Sequence, residues 1–359
     1  MVDAGERAYA YTKACGIIGK SFIGKRIPEL TALRTHSELD RLVFPGQRHD
    51  LPERELLGDL ELRIIKRAVD SICAVIKSFR EPPQALLRLL QSFEYADLKT
   101  CLHYLAEGKS DMPLVSGIGD FGSVKFEKYP DLRLMLKGSE FNFLLEKLPE
   151  KFCDTDLIAV ETELDLRYYL LLLESLNELS GEDRKIACVV LSNEISLRNC
   201  AWAFRLRSYF RMPEDEAGKH LMDIAMRLSS DDDAPLMHRR INPKNGEEEV
   251  SLATDAFESL YKPLDQRSEW KGWRWEKLLN PEKPDGTWEA NPRYFQNAAA
   301  YYLYRMALSH FHTAPFSVSA IFCYIKIKQF EEDLLTSVSE GLALGMNPAD
   351  VLTLLEVSR

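Results

Sequence analysis

The chain has 359 residues, of which 45% are hydrophobic and 28% are charged, and this composition excludes an intrinsically disordered protein. The formal net charge of −10 and the pI near 5.4 argue against nucleic acid as the main ligand, because binding to phosphates requires a basic surface. The length allows one to three domains, with ample material for a core.

The cysteine pattern favours a reducing compartment. The seven cysteines are widely scattered and include no Cys-x-x-Cys pair. Five of them stand among apolar neighbours, as expected of reduced thiols that act as small core residues: Cys15, Cys73, Cys101, Cys188 and Cys323. We therefore expect a cytosolic protein.

Neither a signal peptide nor a membrane span is predicted. The N-terminus carries acidic residues at positions 3 and 6 and lacks a sustained apolar stretch. Apolar runs are short: residues 168–173 form a run of six, whereas a spanning helix needs roughly 20 apolar residues.

The predicted elements are almost all helices. In chain order, the long ones cover residues 8–23, residues 53–79 and residues 156–179. Pro82-Pro83 separates the second of these from the next helix, and Ser180-Gly181 is predicted to end the third. Strand-like alternation is nearly absent, so the sequence predicts an all-α fold.

Two segments interrupt the helical pattern. Residues 229–249 are polar and rich in turn residues, and residues 280–292 contain three prolines and a glycine. Both are predicted to be exposed loops. Loops of this length in a compact domain usually carry a function or are disordered.

A segment of 20 residues recurs three times, at 86–105, 188–207 and 318–337. Apolar residues coincide at five positions of the ungapped alignment: Leu86/Cys188/Val318, Leu89/Leu191/Ile321, Phe93/Ile195/Ile325, Leu98/Cys200/Phe330 and Leu102/Phe204/Leu334. A polar residue precedes the fourth position in each copy: Asp97, Asn199 and Gln329.

This recurrence predicts a triplicated helical subdomain. The corresponding boundaries are 1–120, 121–228 and 251–359, with a polar linker at 229–250. The three copies begin 102 and then 130 residues apart, so the repeat is longer than the roughly 20 to 50 residues of a solenoid unit. The alternative interpretation is chance register between amphipathic helices.

One glycine-rich segment invites a nucleotide-binding interpretation. Residues 117–122 match the G-x-G-x-x-G pattern of dinucleotide sites. That pattern binds a pyrophosphate between a strand and a helix. No strand is predicted before this segment and no helix after it, so the sequence favours an ordinary loop and no cofactor.

Candidate metal and catalytic groups are weak. Residues 231–233 with His238 could gather a cation, but adjacent carboxylates in a polar loop are usually solvated. His310 and His312 would diverge on a helix and could not easily share a zinc ion. An acidic run is interpreted as a charged helix face: Asp154, Asp156, Glu161, Glu163 and Asp165. We predict no catalytic residue and no metal site.

Four tryptophans lie within nineteen residues, with Lys271 and Arg274 between them: Trp270, Trp273, Trp275 and Trp288. Tryptophan with arginine is typical of an interface hot spot. The alternative is that the tryptophans pack the third subdomain, and the sequence favours this core interpretation.

The closing segment, residues 324–351, resembles that of the C (or d) subunit of V-type and A-type ATPases. Four residues match the family pattern, while Asp333 or Leu334 stands where the family has an arginine: Tyr324, Lys326, Gly345 and Pro348. The middle copy resembles the family's E-x-D-x-x-N-L-R-x-x-x-[KR] pattern through Glu194, Asn199 and Arg205, with Ser196 in place of the usual acid.

The N-terminus adds a third point of resemblance. Residues 10–14 match the aromatic-led opening of the family through Tyr11, although Cys15 and Ile17 replace its basic pair. The resemblance covers nearly the whole chain, and it depends on the order and spacing of these motifs.

The resemblance implies an all-α, funnel-shaped protein with three similar helical subdomains around a pseudo-threefold axis. It further implies a non-catalytic central-stalk subunit, present in one copy per complex, on the cytoplasmic face of the membrane. Its cavity would receive the foot of the rotor shaft, and its base would rest on the proteolipid ring that moves protons or sodium ions.

The implied partners are therefore the rotor-shaft subunits and the proteolipid ring, with no nucleic acid, no cofactor and no transmembrane segment of its own. The motifs do not indicate which surface meets either partner. Two alternatives remain: a helical scaffold of another assembly, and an enzyme that binds a nucleotide at residues 117–122.

Overall fold

The computed structural model describes residues 3–46, 53–147, 154–227, 239–241 and 248–354. The α-helices in these ranges are α1 (Ala4–Ile18), α2 (Ile27–Thr31), α3 (His36–Val43), α4 (Glu53–Ile76), α5 (Gln84–Ala106), α6 (Leu132–Leu136), α7 (Leu144–Lys147), α8 (Asp154–Ser175), α9 (Gly181–Ser208), α10 (Glu214–Ala217), α11 (Thr254–Leu260), α12 (Pro292–Thr313), α13 (Val318–Ala343) and α14 (Pro348–Leu354). Three short strands accompany them: β1 (Ala225–Arg227), β2 (Arg239–Ile241) and β3 (Glu248–Ser251).

The long helices predicted from periodicity are confirmed as α1, α4 and α8, with shifted ends. Helix α1 ends at Ile18, after which the Lys20 N–H donates to the Ile17 carbonyl and the Ser21 N–H to the Ile18 carbonyl, both at 3.0 Å, so i to i−3 turn bonds replace the α-helical ones. Helix α4 ends three residues early, at Ile76. The prediction that Ser180-Gly181 closes a helix is wrong, since Gly181 (φ +56°) is the first residue of α9.

The three strands form a small antiparallel sheet in the order β1-β3-β2, with Ala225 paired to Ser251 and Arg240 to Glu249. Strands β2 and β3 overlap the segment 229–249, so the prediction of a loop is wrong there. The fold is mainly helical with one small sheet. The sequence did not predict this sheet because strands of three or four residues are too short to show a periodic pattern.

The two interrupting segments have different outcomes. Residues 231–233 and His238 lie outside the described residues, so the predicted cation cluster stays a prediction. The loop at 280–292 is confirmed up to Pro292, where α12 begins.

The chain divides into two compact units. Unit 1 comprises residues 1–179 and 311–352, and unit 2 comprises residues 180–310 and 353–359. The predicted subdomain boundaries at 120, 228 and 250 are not those of the two units, and the threefold repetition itself stays a prediction.

Helix α13 forms the centre of unit 1. It packs against α1, α3, α4 and α5, and α8 packs against α5. Every residue from 318 to 325 is buried. A helix that is apolar on all sides belongs in the middle of a core, which explains why this segment shows little amphipathic character.

All three copies of the recurring segment are helical, as predicted, and lie in α5, α9 and α13. The aligned apolar positions are buried in every copy except at Cys188, which is half-buried. The shared register therefore identifies the core-facing side of each helix.

Unit 2 is built around α9, which packs against α10 and α11. The tryptophan cluster is buried in this unit and packs with Cys200 and Phe204 of α9. Trp270 is fully buried, and its indole N–H donates to the Pro263 carbonyl at 2.8 Å. The core interpretation is confirmed, and the hot-spot interpretation of these tryptophans is wrong.

No helix in the described part of the chain combines the length and the apolar character that crossing a membrane requires.

Candidate functional site

The family-pattern residues of α13 and its C-terminal end support packing. Tyr324 is buried, and its hydroxyl donates to the Ser71 carbonyl of α4 at 3.0 Å. Burial raises the pKa of Tyr324, so the hydroxyl stays protonated and remains a donor. Lys326 is half-buried on the same helix.

Gly345 and Pro348 shape the connection between α13 and α14. Gly345 has φ +71°, which a glycine adopts without steric cost, and it follows the last turn of α13. Pro348 is the first residue of α14, where its missing N–H costs nothing. Helix α14 then lies so close to α13 that a Cβ added at Gly341 would be 2.4 Å from a methyl group of Val351.

Asn199 is a buried connector in unit 2. Its amide oxygen accepts from the Met222 N–H at 2.9 Å, and its Nδ2 donates to the carbonyls of Met222 (3.0 Å) and Leu252 (3.4 Å). These two residues flank the sheet, before β1 and after β3. Asn199 therefore fixes the base of the sheet on α9.

The other pattern residues occupy half-buried positions. Tyr11 of α1 packs its ring against Phe311 and Phe316, with centroids 5.0 and 5.2 Å away. Glu194 and Arg205 lie on α9. The pattern residues are thus divided between the two units, and within each unit they support packing.

In unit 1, the side chain of Asp97 binds backbone groups as that of Asn199 does in unit 2. It is buried at the same position of the recurring segment and accepts hydrogen bonds from the Ser116 N–H (3.0 Å), the Ser116 hydroxyl (2.9 Å) and the Gly117 N–H (2.8 Å). In both copies a buried polar side chain holds backbone about twenty residues downstream.

Glu94 holds the other end of the same loop. Its Oε1 accepts from the N–H groups of Ser123 and Val124, the latter at 2.7 Å, and its Oε2 lies 3.3 Å from the Ser123 hydroxyl. Residues 117–122 are therefore tied to α5 at both ends by carboxylates. As predicted, the segment is a loop with one 3-10 turn, Gly119–Phe121.

Glu94→Gln is expected to keep the fold and to change its pH dependence. Burial raises the pKa of Glu94 above its ordinary 4.5, although the backbone N–H groups oppose the shift. The folded state then binds the proton more tightly than the unfolded chain, so this carboxyl makes stability decline as pH rises above about 4.5. Gln keeps Oε1 and cannot ionise, so the decline becomes shallower.

The measurement is urea unfolding across the acidic to neutral range, with the exposed Glu146→Gln as the matched control. If the free energy of unfolding of Glu94→Gln depended on pH as steeply as that of the wild type, the raised pKa of Glu94 would be contradicted.

Three carboxylates of the acidic run in α8 are ion-paired. Asp165 lies 2.7 Å from the Lys99 ammonium and Glu161 lies 2.8 Å from His103, both on α5. Glu163 lies 2.7 Å from Lys147 of α7. These pairs explain the run as a charged helix face, as predicted. The side chains of Asp154 and Asp156 lie outside the described residues.

A buried ion pair in α13 was not predicted. The Lys328 ammonium and the Glu331 carboxylate form a hydrogen-bonded pair, with side chains 2% and 1% exposed. Glu331 also accepts from the Phe22 N–H at 2.8 Å and lies 3.5 Å from Arg67. Burial opposes ionisation of Glu331, but the charges of Lys328 and Arg67 outweigh it and lower the pKa.

Asp255 is the centre of a second buried network, in unit 2. It accepts from the Ser196 hydroxyl (2.7 Å), the Arg274 guanidinium (3.0 Å) and the Trp275 indole (3.2 Å). Ser196 stands where the family pattern has an acid, and Asp255 supplies a carboxylate beside that position. Arg274 also donates to the Asn193 amide oxygen at 2.7 Å.

The cysteines in the described part of the chain have free thiols. Burial raises the pKa of Cys73 to about 11 and those of Cys101 and Cys323 to about 12, so these thiols stay protonated near neutral pH. Within the described ranges no three His, Cys, Asp or Glu side chains come together as a metal site. His310 and His312 lie on α12.

The described residues form a mainly helical protein in which the buried charged side chains discussed above bond to other side chains or to the backbone. The chain belongs to the ATP synthase (C/AC39) subunit family, which matches residues 49–353.

Three relatives illustrate the range of similarity. A protein of Treponema pallidum (strain Nichols), named only "Uncharacterized protein", is 23% identical over 340 residues, which covers 94% of this chain and 92% of that protein. The C subunit of the A-type ATP synthase of Methanosarcina mazei is 25% identical over 215 residues, 56% of this chain and 57% of that protein. The corresponding protein of Methanosarcina barkeri, with the same name, is 24% identical over 267 residues, with coverages of 72% and 66%.

Proposed function

We propose that this chain is a non-catalytic central-stalk subunit of a rotary V/A-type ATPase, one copy per complex, on the cytoplasmic face of the membrane. It acts as a socket that couples the rotor shaft to the proteolipid ring and so to proton or sodium transport. The observation that carries the proposal is the family match over residues 49–353. The names of the two Methanosarcina relatives support it.

The packing of the chain suits the transmission of torque. A coupling subunit needs rigid bodies and surfaces for partners, and close-packed helices resist compression. Helix α13 is enclosed by four other helices in unit 1, and buried polar groups such as Tyr324 and Asn199 fix neighbouring elements to one another. Three similar subdomains around a pseudo-threefold axis remain part of this proposal.

The nucleotide-binding alternative conflicts with the geometry of residues 117–122. A phosphate-binding loop offers free backbone N–H groups to the anion. Here the N–H groups of Gly117 and Val124 are already bonded to Asp97 and Glu94. Those carboxylates would also repel a phosphate. The other alternative, a helical scaffold of another assembly, would be distinguished by the proteins that bind to this chain.

The test is a pull-down of the tagged chain from its native membranes in mild detergent, with quantitative mass spectrometry of the bound proteins. We expect rotor-shaft and proteolipid-ring subunits, with one copy of this chain for each shaft. An untagged strain is the control. Recovery of neither subunit, from membranes with measured ATPase activity, would refute the proposal. Recovery of a different stable assembly would establish the scaffold alternative.

A further inference from the structure

The N-terminal part of unit 1 is joined to the rest of that unit through few buried side chains. Helix α1 packs against α4 and α13. Of its fifteen residues only Ala10 and Ala14 are buried, and both are too small to remove much apolar surface from water. We call α1 together with the turn that follows it, residues 4–26, the N-terminal strap.

The remaining contacts of α1 are partly exposed. The half-buried Tyr11 ring packs against two phenylalanines, and the Lys13 ammonium donates to the Ala74 carbonyl at 2.7 Å. Glu6 lies 3.6 Å from Arg80, whose side chain is 95% exposed, and ion pairs open to water contribute little. Helices with so little buried surface are the ones that open locally while the rest of a protein stays folded.

The turn after α1 is attached more firmly. Ser21, Phe22 and Ile23 are buried. The Phe22 N–H donates to the Glu331 carboxylate at 2.8 Å, and the Lys328 ammonium donates to the Ser21 hydroxyl at 3.3 Å. Each member of the buried ion pair of α13 therefore bonds to the strap.

Two guanidiniums hold the ring of Phe22 in the same place. The Cζ atom of Arg26 lies 4.0 Å from the centre of the ring, and that of Arg67, on α4, lies 5.3 Å from it. Arg26 also donates to the Lys20 carbonyl at 2.6 Å, which closes the turn on itself. The C-terminal end of the strap is thus a compact turn that contacts both α4 and α13.

Stability alone is a poor reason for the ion pair in α13. Removing two charges from water costs about as much as their attraction returns, and apolar side chains of similar size often stabilise a core equally well. Burial lowers the pKa of Lys328, although the charge of Glu331 opposes the shift. Apolar side chains, however, could not bond to the Phe22 N–H or the Ser21 hydroxyl. The bonds to the strap are what the charges provide and apolar groups cannot.

We propose that the N-terminal strap is a separately opening part of unit 1, and that the Lys328–Glu331 pair is the lock that keeps it closed. Helix α13 stays packed when the strap opens, because α3, α4 and α5 also enclose it. Every contact that carries this proposal lies within unit 1, so it stands apart from the proposed function.

The test is hydrogen exchange, followed by mass spectrometry, on the purified full-length chain under native conditions. Lys328→Met/Glu331→Leu keeps α13 filled with side chains of similar size and removes both bonds to the strap. Hydrogen bonds to charged groups are strong enough to change an opening equilibrium about tenfold or more. We therefore expect the amides of residues 4–26 to exchange at least about tenfold faster than in the wild type, while those of α5 exchange as before.

Two further variants sharpen the result. Lys99→Met/Asp165→Leu is the matched control, because it removes an ion pair of unit 1 that joins α5 to α8, with its charged atoms 2.7 Å apart. It should leave exchange in the strap at the wild-type rate. Ser21→Ala keeps the pair and removes only the acceptor of Lys328, so we expect exchange in the strap to rise about threefold.

Exchange of the strap at the wild-type rate in both Lys328→Met/Glu331→Leu and Ser21→Ala would overturn the proposal. Acceleration by the same factor throughout unit 1 would overturn it too, because the strap and the core would then open together. If the double variant does not fold, Ser21→Ala decides alone: faster exchange confined to residues 4–26 supports the lock, and unchanged exchange overturns it.

Discussion

Glu331→Ala is expected to lower the free energy of unfolding by about 3–5 kcal/mol, the cost of leaving one member of a buried ion pair without its partner. Lys328 is 2% exposed, so without Glu331 its ammonium would have to stay charged in a poorly solvated site or lose its proton. The Phe22 N–H would lose its acceptor as well. The substitution therefore removes two compensating interactions from a single buried site.

The two units allow the effect to be localised. All five tryptophans belong to unit 2, so their fluorescence reports that unit, whereas far-UV circular dichroism reports both. In urea at neutral pH, Glu331→Ala should shift the circular dichroism transition more than the fluorescence transition.

Two variants bracket this result. Glu340→Ala removes an exposed carboxylate from the same helix and should change stability by less than about 0.5 kcal/mol. Lys328→Met/Glu331→Leu replaces both charges with apolar groups and should recover most of the loss. A single Glu331→Ala variant as stable as the wild type would show that the pair contributes little.

The sequence predicts the helices well because helical periodicity is a local property. The apolar residues of α5, α9 and α13 recur every three or four positions, and the structure buries these residues. The sheet escaped prediction because pairing between Ala225 and Ser251 joins residues far apart in the chain, and no local pattern encodes it. Helix ends shifted by a few residues for the related reason that capping depends on tertiary contacts.

Buried polar contacts likewise leave a signal in the sequence only where both partners are close in the chain. Lys328 and Glu331 are three residues apart on one helical face within an apolar segment, and this spacing is a signal that could have revealed the pair. Asp255 and Ser196 are 59 positions apart, so their contact has no local signal. The family pattern marked Asn199, but only the structure shows that its amide holds the two ends of the sheet.

Trp270→Ala is expected to destabilise unit 2 by about 3–5 kcal/mol, as large aromatic truncations in a core do. The side chain is fully buried, with the rings of Trp273 and Phe204 centred 5.0 and 5.2 Å from its own. Truncation leaves a cavity among aromatic rings too rigid to fill it, and it frees the Pro263 carbonyl from its donor.

Two controls separate the components of this effect. Trp270→Phe keeps a ring but loses the indole N–H, so it should cost about 1–2 kcal/mol. Tyr209→Ala truncates an exposed aromatic of the same unit and should leave stability within about 0.5 kcal/mol of the wild type. The fluorescence transition of the remaining tryptophans in urea measures all three variants. A Trp270→Ala variant that unfolds at the same urea concentration as the wild type would contradict this role of Trp270 in the core.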